Sequence, residues 1–124
     1  MSDTVFRSDC PIASTLDVLG DKWTLVIFRD MAFGKRRFSE FLQSSERMQR
    51  NILSDRLKRM ETSGLVQKTR YQSRPDRHEY RLTARGADLL PVVQNLALWG
   101  HRHIRHTYGP PPELLAWTPE SLAD

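Results

Sequence analysis

One cysteine in 124 residues, Cys10, leaves no partner for a disulfide within the chain, which fits a reducing compartment. No apolar run exceeds four residues, as in Leu25 to Phe28, so no segment can span a bilayer and no membrane partner is expected. Met1-Ser2-Asp3-Thr4 lacks the basic region and apolar stretch that open a secretory leader, and the expected location is cytoplasmic. The chain has no glycine loop of the phosphate-cradling kind and no Gly-x-Ser-x-Gly elbow, so nothing points to an enzyme. His101, His103 and His106 lack the i, i+4 spacing that lets two imidazoles on one helix share an ion, and residues two apart stand about 200° apart around the axis. No metal or cofactor is therefore expected; these histidines suit the negative end of a helix dipole.

What is present is charge, and it is segregated. Between Lys35 and Arg81 there are thirteen Lys and Arg against six acids, a net of +7, while the remaining residues carry a net of −3. A basic centre between mildly acidic ends is a footprint for a polyanion, although a merely solvated face can look the same. The chain is long enough for one domain with a modest core.

The basic segment carries its own structure. From Arg50 to Thr62, Leu53, Leu57 and Met60 recur at i, i+4, i+7, which predicts an amphipathic helix with Asn51, Ser54, Asp55 and Lys58 on its outer face. Gly64 suits a left-handed residue after the helix, with Leu65 placed against Met60 as in a Schellman stop. Leu65–Tyr71 and His78–Thr83 read as strands of a hairpin around Ser73-Arg74-Pro75-Asp76-Arg77, where Pro75 at i+1 suits a type I turn. A helix with small polar side chains followed by an arginine-rich hairpin is the geometry of a recognition helix and a wing on DNA.

The flanks fit that frame. Residues 1–9 read as a polar, flexible arm in which Val5 and Phe6 could pack on a neighbour. Cys10 is the expected N-cap of a helix opened by Pro11, with Ile12, Leu16 and Leu19 on one face and Gly20 closing it. Asp21 suits the N-cap of a central helix whose inner side carries Trp23, Val26, Ile27 and Met31. After Gly34 and Lys35-Arg36-Arg37, Phe38, Phe41 and Leu42 mark a short helix, which with the next makes a helix-turn-helix. Met48 is expected to be buried in the turn between them. Thr83 is expected to cap a last helix from Ala84 to about Arg105, which Pro91 either kinks or delays. Its apolar residues sweep about 180°, wider than the stripe of ~100° that packs one core, so Val92, Leu96 and Trp99 are assigned to a second subunit. Residues 108–124 read as an extended proline-rich tail, with Leu114, Leu115 and Trp117 able to pack across the domain or its partner.

Cys10-Pro11-Ile12, Leu19-Gly20-Asp21-Lys22-Trp23, Arg37-Phe38-Ser39-Glu40-Phe41, the run from Leu53 to Val66, Glu79-Tyr80-Arg81-Leu82-Thr83 with Gly86, and Leu90-Pro91 with Trp99 together resemble the HxlR-type family of bacterial winged helix-turn-helix regulators. The resemblance spans about Cys10 to Ile104, so the division expected is an arm at 1–9, a DNA-binding and dimerisation domain at 10–107 and a tail at 108–124. It implies a mainly α fold with a small β-hairpin, a winged helix-turn-helix domain with N- and C-terminal dimerisation helices. It also implies homodimers with Ile12, Leu16, Val92, Leu96, Trp99 and His103 at the interface, and repression or activation of nearby operons, of which repression is the direction expected here. In some members the cysteine before the proline senses electrophiles or oxidants. One departure is Gln49, where Ser or Thr often opens the recognition helix; glutamine is a poor N-cap.

Double-stranded DNA must be held at phosphates and read at base edges. For reading, Gln49 and Asn51 can bond adenine bidentately and Arg50 guanine, with Ser54, Asp55 and Lys58 completing the face. For holding, Arg36, Arg37 and the amide end of the Phe38 helix suit phosphates, as do Arg70, Arg74 and Arg77 on the wing; the alternative for these arginines is protection of a strand edge. Asp55 alternatively pairs with Arg56 or Arg59 and repels phosphate. Cys10 at a helix N-terminus favours thiolate, against which stand Asp3, Asp9 and the plain role of a small buried residue. A small molecule or an oxidant is the kind of effector such a protein would take. The competing function is a winged-helix module for protein assembly, whose basic face would dock an acidic partner without preference for any DNA sequence.

Overall fold

The computed structural model describes residues 5–123. Helix α1 spans Pro11–Leu19, with Cys10 at its N-cap and proline in the first turn, where a missing N–H costs nothing. Gly20 closes it in a right-handed conformation, φ −79°, rather than by a left-handed turn. Glycine is required there because a Cβ would stand 2.3 Å from the Leu16 carbonyl oxygen.

Helix α2 spans Thr24–Ala32 and starts later than an Asp21 N-cap predicts, with Trp23 at the cap position. Asp21 still serves that end, because its carboxylate accepts the Trp23 and Thr24 N–H groups at 2.9 and 3.0 Å. Ile27, Phe28 and Met31 on α2 are buried, and each full burial of this kind is worth about 1.5–3 kcal/mol. Short helix α3, Phe38–Phe41, and long helix α4, Arg50–Thr62, follow and enclose the same core through Phe41, Leu53, Leu57 and Met60. Met48, in the turn between them, is buried.

Helix α4 ends as its sequence demands. Gly64 is left-handed at φ +77°, its N–H reaches the Glu61 carbonyl at 3.0 Å, and the Leu65 N–H reaches that of Met60 at 2.8 Å, a complete Schellman pattern. Strands β1, Val66–Gln72, and β2, Arg77–Leu82, pair antiparallel from Val66 against Leu82 outward, with a register slip between Arg70 and Gln72. The turn is not the expected type I: Arg74 is left-handed at φ +59° and the Arg74–Pro75 peptide is cis.

The expected single last helix is two. Thr83 caps α5, Ala84–Ala87, by accepting the Gly86 N–H, and α6 then runs from Leu90 to His103. Pro91 stands in the first turn of α6, where its lack of a donor is harmless; inside one continuous helix it would leave the Ala87 carbonyl without its partner. The tail is not extended throughout. It forms α7, Pro112–Ala116, and α8, Pro119–Leu122, and it packs on this domain: Leu114 joins the core, and Gln94 Nε2 donates to the Leu114 and Trp117 carbonyls at 2.9 and 3.1 Å. Trp117 meets Phe33 edge to face, ring centroids 4.8 Å apart. No helix among the described residues is long and apolar enough to cross a membrane.

Candidate nucleic-acid interface

Because Leu53, Leu57 and Met60 anchor α4 to the core, its helical period turns Gln49, Arg50, Asn51, Ser54, Asp55 and Lys58 outward, and all six are exposed. Gln49 occupies the N-cap position without a side-chain capping bond, so its amide is not consumed by the helix end. Among the described residues nothing hydrogen-bonds or pairs with the side chains of Arg50 or Lys58. Asn51 Oδ1 accepts the Ile52 N–H at 3.0 Å, leaving its amino group to donate. Asp55 differs: Arg56 engages it closely and Arg59 Nε lies 3.1 Å away, so the alternative of internal pairing is the one realised.

Arg56 reaches further. Its Nε donates to Asp21 Oδ2 at 2.9 Å, tying α4 to the turn between α1 and α2. At Asp21, burial is the largest influence and pushes the carboxyl up. It is outweighed by the bonds from the Thr24 hydroxyl, the Trp23 N–H, Arg56 and the Thr24 N–H, which together hold it at about 2.

The holding residues divide sharply. Arg36 turns one end of its guanidinium inward, Nη1 donating to the Met31 and Lys35 carbonyls at 2.7 and 2.9 Å. Just ahead of α3, Glu40 Oε1 accepts the Arg36 and Arg37 N–H groups at 2.8 and 2.9 Å, bonds that lower its pKa. Arg37 pairs with Glu79 at 3.1 Å and lies over the Tyr71 ring at 3.9 Å, and the Tyr80 N–H donates to the Arg36 carbonyl at 2.7 Å. Arg37 through its side chain and Arg36 through its backbone carbonyl therefore fasten the wing to the start of α3, a role invisible to local spacing because Glu79 and Tyr80 lie some forty residues on. Farther out, Arg70 sits 3.6 Å from Asp76 with both side chains largely exposed, and Arg74 and Arg77 at the tip engage no other described side chain.

Two further residues escape the sequence pattern. Arg29 on α2 forks onto Glu46 in the turn before α4, Nη1 to Oε2 at 2.9 Å and Nη2 to Oε1 at 2.7 Å. The same guanidinium bonds the Ser44 hydroxyl and the buried Asp30 carboxylate. These bonds hold the Glu46 carboxyl far below the usual range and raise Arg29 far above its own.

Cys10 is exposed, with Asp9 exposed beside it; Asp3 lies outside the described residues. On α1, Ile12 is 72% and Leu16 50% exposed, and on α6 Val92, Leu96 and Trp99 are 41%, 50% and 60% exposed. His103 stacks on Trp99, ring centroids 4.8 Å apart. Leu90 and Val93, on the opposite side of α6, are buried in the domain.

The sequence profile of the HxlR-like helix-turn-helix family matches residues 18–108. The chain belongs to that family. Among its HxlR-like relatives, an HTH-type transcriptional regulator of Mycobacterium tuberculosis, Rv3095, is 38% identical over 113 residues, 91% of this chain and 71% of its own. A Bacillus subtilis HTH-type transcriptional regulator, YybR, is 35% identical over 82% of this chain and 83% of its own. In structure the chain resembles the redox regulator HypR in its oxidized form, with a TM-score of 0.69 and 36% identity over 76% of this chain and 97% of HypR. The HxlR-like protein is thus a transcriptional regulator of the helix-turn-helix type and not an enzyme.

Proposed function

We propose that this HxlR-like regulator is a homodimer that binds a pseudo-palindromic double-stranded operator and represses a neighbouring operon. The observation that carries the reading is the outer face of α4: Gln49, Arg50, Asn51, Ser54 and Lys58 are exposed and base-bonding in chemistry, with only Asn51 Oδ1 engaged by a described residue, and the unpaired Arg74 and Arg77 lie nearby in sequence on the wing. Two copies joined through the apolar faces of α1 and α6 would set two such helices in successive major grooves, about 34 Å apart. Phosphate contacts by Arg70, Arg74 and Arg77 give affinity that falls with salt at a slope of about −0.9 per contact.

Regulation enters through Cys10, whose exposure at the N-cap of α1 suits a reactive thiol. The similarity to HypR, and to a diamide-treated form of YodB at 26% identity and a TM-score of 0.61, supports an oxidant or electrophile as effector. The deciding experiment is a fluorescence anisotropy titration against the gene's own upstream DNA and a scrambled duplex at two salt concentrations, repeated with diamide on the wild type and on Cys10→Ser. Preference for the upstream duplex with a steep salt slope is expected, together with a diamide response that Cys10→Ser abolishes. Equal, weak binding to both duplexes would instead make the basic face a protein-docking surface.

A further inference from the structure

The turn from Leu42 to Gln49 decides where α4 begins, and therefore which side chains of that helix can reach bases. Three features hold it. Met48 is buried in the core, and Arg47 is left-handed at φ +57°, which reverses the chain just ahead of it. The third is a fork of side chains brought from a different element. Arg29, on α2, closes both ends of its guanidinium on the Glu46 carboxylate at 2.9 and 2.7 Å and bonds the Ser44 hydroxyl at 3.0 Å; that hydroxyl in turn donates to Glu46 Oε1 at 2.9 Å. From beneath, Asp30 Oδ1 accepts Arg29 Nε and Nη2 at 3.1 and 2.9 Å. Asp30 and Ser44 are buried, at 5% and 4% exposure, while Lys35 Nζ lies 3.8 Å from the second Asp30 oxygen, which has no hydrogen-bond partner among the described residues. The planar guanidinium is thus oriented along its Nε–Nη2 edge by a fixed buried carboxylate, while Nη1 and the shared Nη2 face the turn.

We propose that Arg29 is a specificity-positioning residue: oriented by Asp30, it clamps Ser44 and Glu46 and so sets the register in which the outer face of α4 meets base edges, without itself touching DNA. The proposal rests on the operator-binding reading above. The chemistry asks for arginine, since only a rigid fork can hold both carboxylate oxygens and a hydroxyl while leaning on a second carboxylate; an ammonium at the same place keeps the charge and loses the geometry.

The test is Arg29→Lys, which retains a charge partner for buried Asp30 and so spares the core, with Glu46→Gln as a second variant that loosens the turn from its exposed side. Operator and scrambled-duplex affinities are measured by anisotropy across a salt series, and folding is followed by thermal melting. The expected result is a drop of about tenfold or more in the operator-to-scrambled ratio, comparable to losing one bidentate base contact, with scrambled binding and its salt slope unchanged. An unchanged ratio in both folded variants, against a wild type that does discriminate, would overturn the positioning role. A wild type that shows no preference for any upstream duplex would overturn the operator reading itself, and the clamp's role in reading with it. If Arg29→Lys does not fold, Glu46→Gln alone decides: a preserved ratio overturns the proposal and a lost one upholds it.

Discussion

At the scale of single residues, contacts that read and contacts that hold should separate in mutants. Asn51 projects from the middle of the exposed face with donors to spare, so Asn51→Ala should cost about 1–3 kcal/mol on the operator and relax the preference at one base position. Arg74, exposed at the wing tip without an internal partner, should behave otherwise: Arg74→Ala should weaken operator and scrambled duplex alike and reduce the salt slope by about one. Equal effects of the two substitutions on specificity, seen in anisotropy titrations, would contradict this division. The acid limb of stability belongs to Asp21 and Glu46. The Asp21 carboxyl is lowered from the ordinary 3.8 to about 2, so it contributes stability that is fully present above the unfolded value and is lost as pH falls through the folded one. Glu46, lowered by the Arg29 bonds, acts in the same direction. Urea denaturation between pH 4.5 and 2 should show stability falling with pH in the wild type and a shallower slope in Asp21→Asn. What the sequence could show at this scale was the helical face of α4, since periodicity is local. The Glu46 partner of Arg29 and the Asp21 partner of Arg56 could not be read from it, because each is brought near only by the fold.

Between elements, α5 is the joint of the molecule although it is four residues long. Its Gly86 packs so closely on the start of the hairpin that a Cβ would lie 2.0 Å from the Leu65 carbonyl oxygen, a backbone atom that cannot swing aside. Thr83 Oγ1 donates to the Gly64 carbonyl, and Arg85 Nε donates to that of Ser63 at 2.9 Å, so the two residues that follow α4 are tied to α5 and its cap. Gly86→Ala should therefore destabilise the protein by more than about 2 kcal/mol by separating these elements, well beyond the effect of adding a methyl to an open helical site. Gly100→Ala is the internal control, because nothing lies within 4 Å of a Cβ built there; it should be neutral or slightly stabilising in the same melts. The helix-turn-helix, the Schellman stop and the two strands were all legible to within a residue or so, because each has a signal inside its own window. The break between α5 and α6 was half legible: Pro91 announced a discontinuity, but whether the chain kinks or restarts depends on Gly86 lying against Leu65, a contact between elements. The helical turns of the tail were missed for a similar reason. Prolines at 110–112 read as extended chain, whereas docking of Leu114 and Trp117, held by Gln94, supplies the burial that folds α7.

For the whole molecule the remaining question is what meets the outer side of α6. Leu90 and Val93 face the domain and are buried, whereas Leu96 and Trp99 remain half exposed or more on the other side, and α1 shows Ile12 and Leu16 in the same condition. Large apolar side chains aligned along a helix and left in water cost free energy that association recovers, and a two-fold dimer is the commonest way for a regulator to recover it while matching a two-fold operator. The arc of about 180° on this helix could be read from sequence, but not what covers it, since one chain's pattern records which face is apolar and nothing of the surface that meets it. A charge placed in that face should be poorly tolerated on association and harmless to the fold, because Leu96 lies outside the core. Leu96→Asp should accordingly be folded, monomeric by sedimentation velocity at concentrations where the proposed wild-type dimer forms, and weakened on the full operator far more than on a single half-site. Single half-site affinity is the informative arm: the proposed reading assigns it to α4 and the wing alone, so it should survive the substitution. A Leu96→Asp protein that remains fully dimeric would place the interface elsewhere. One that becomes monomeric yet binds the full operator as tightly as the wild type would show that the two reading helices act independently.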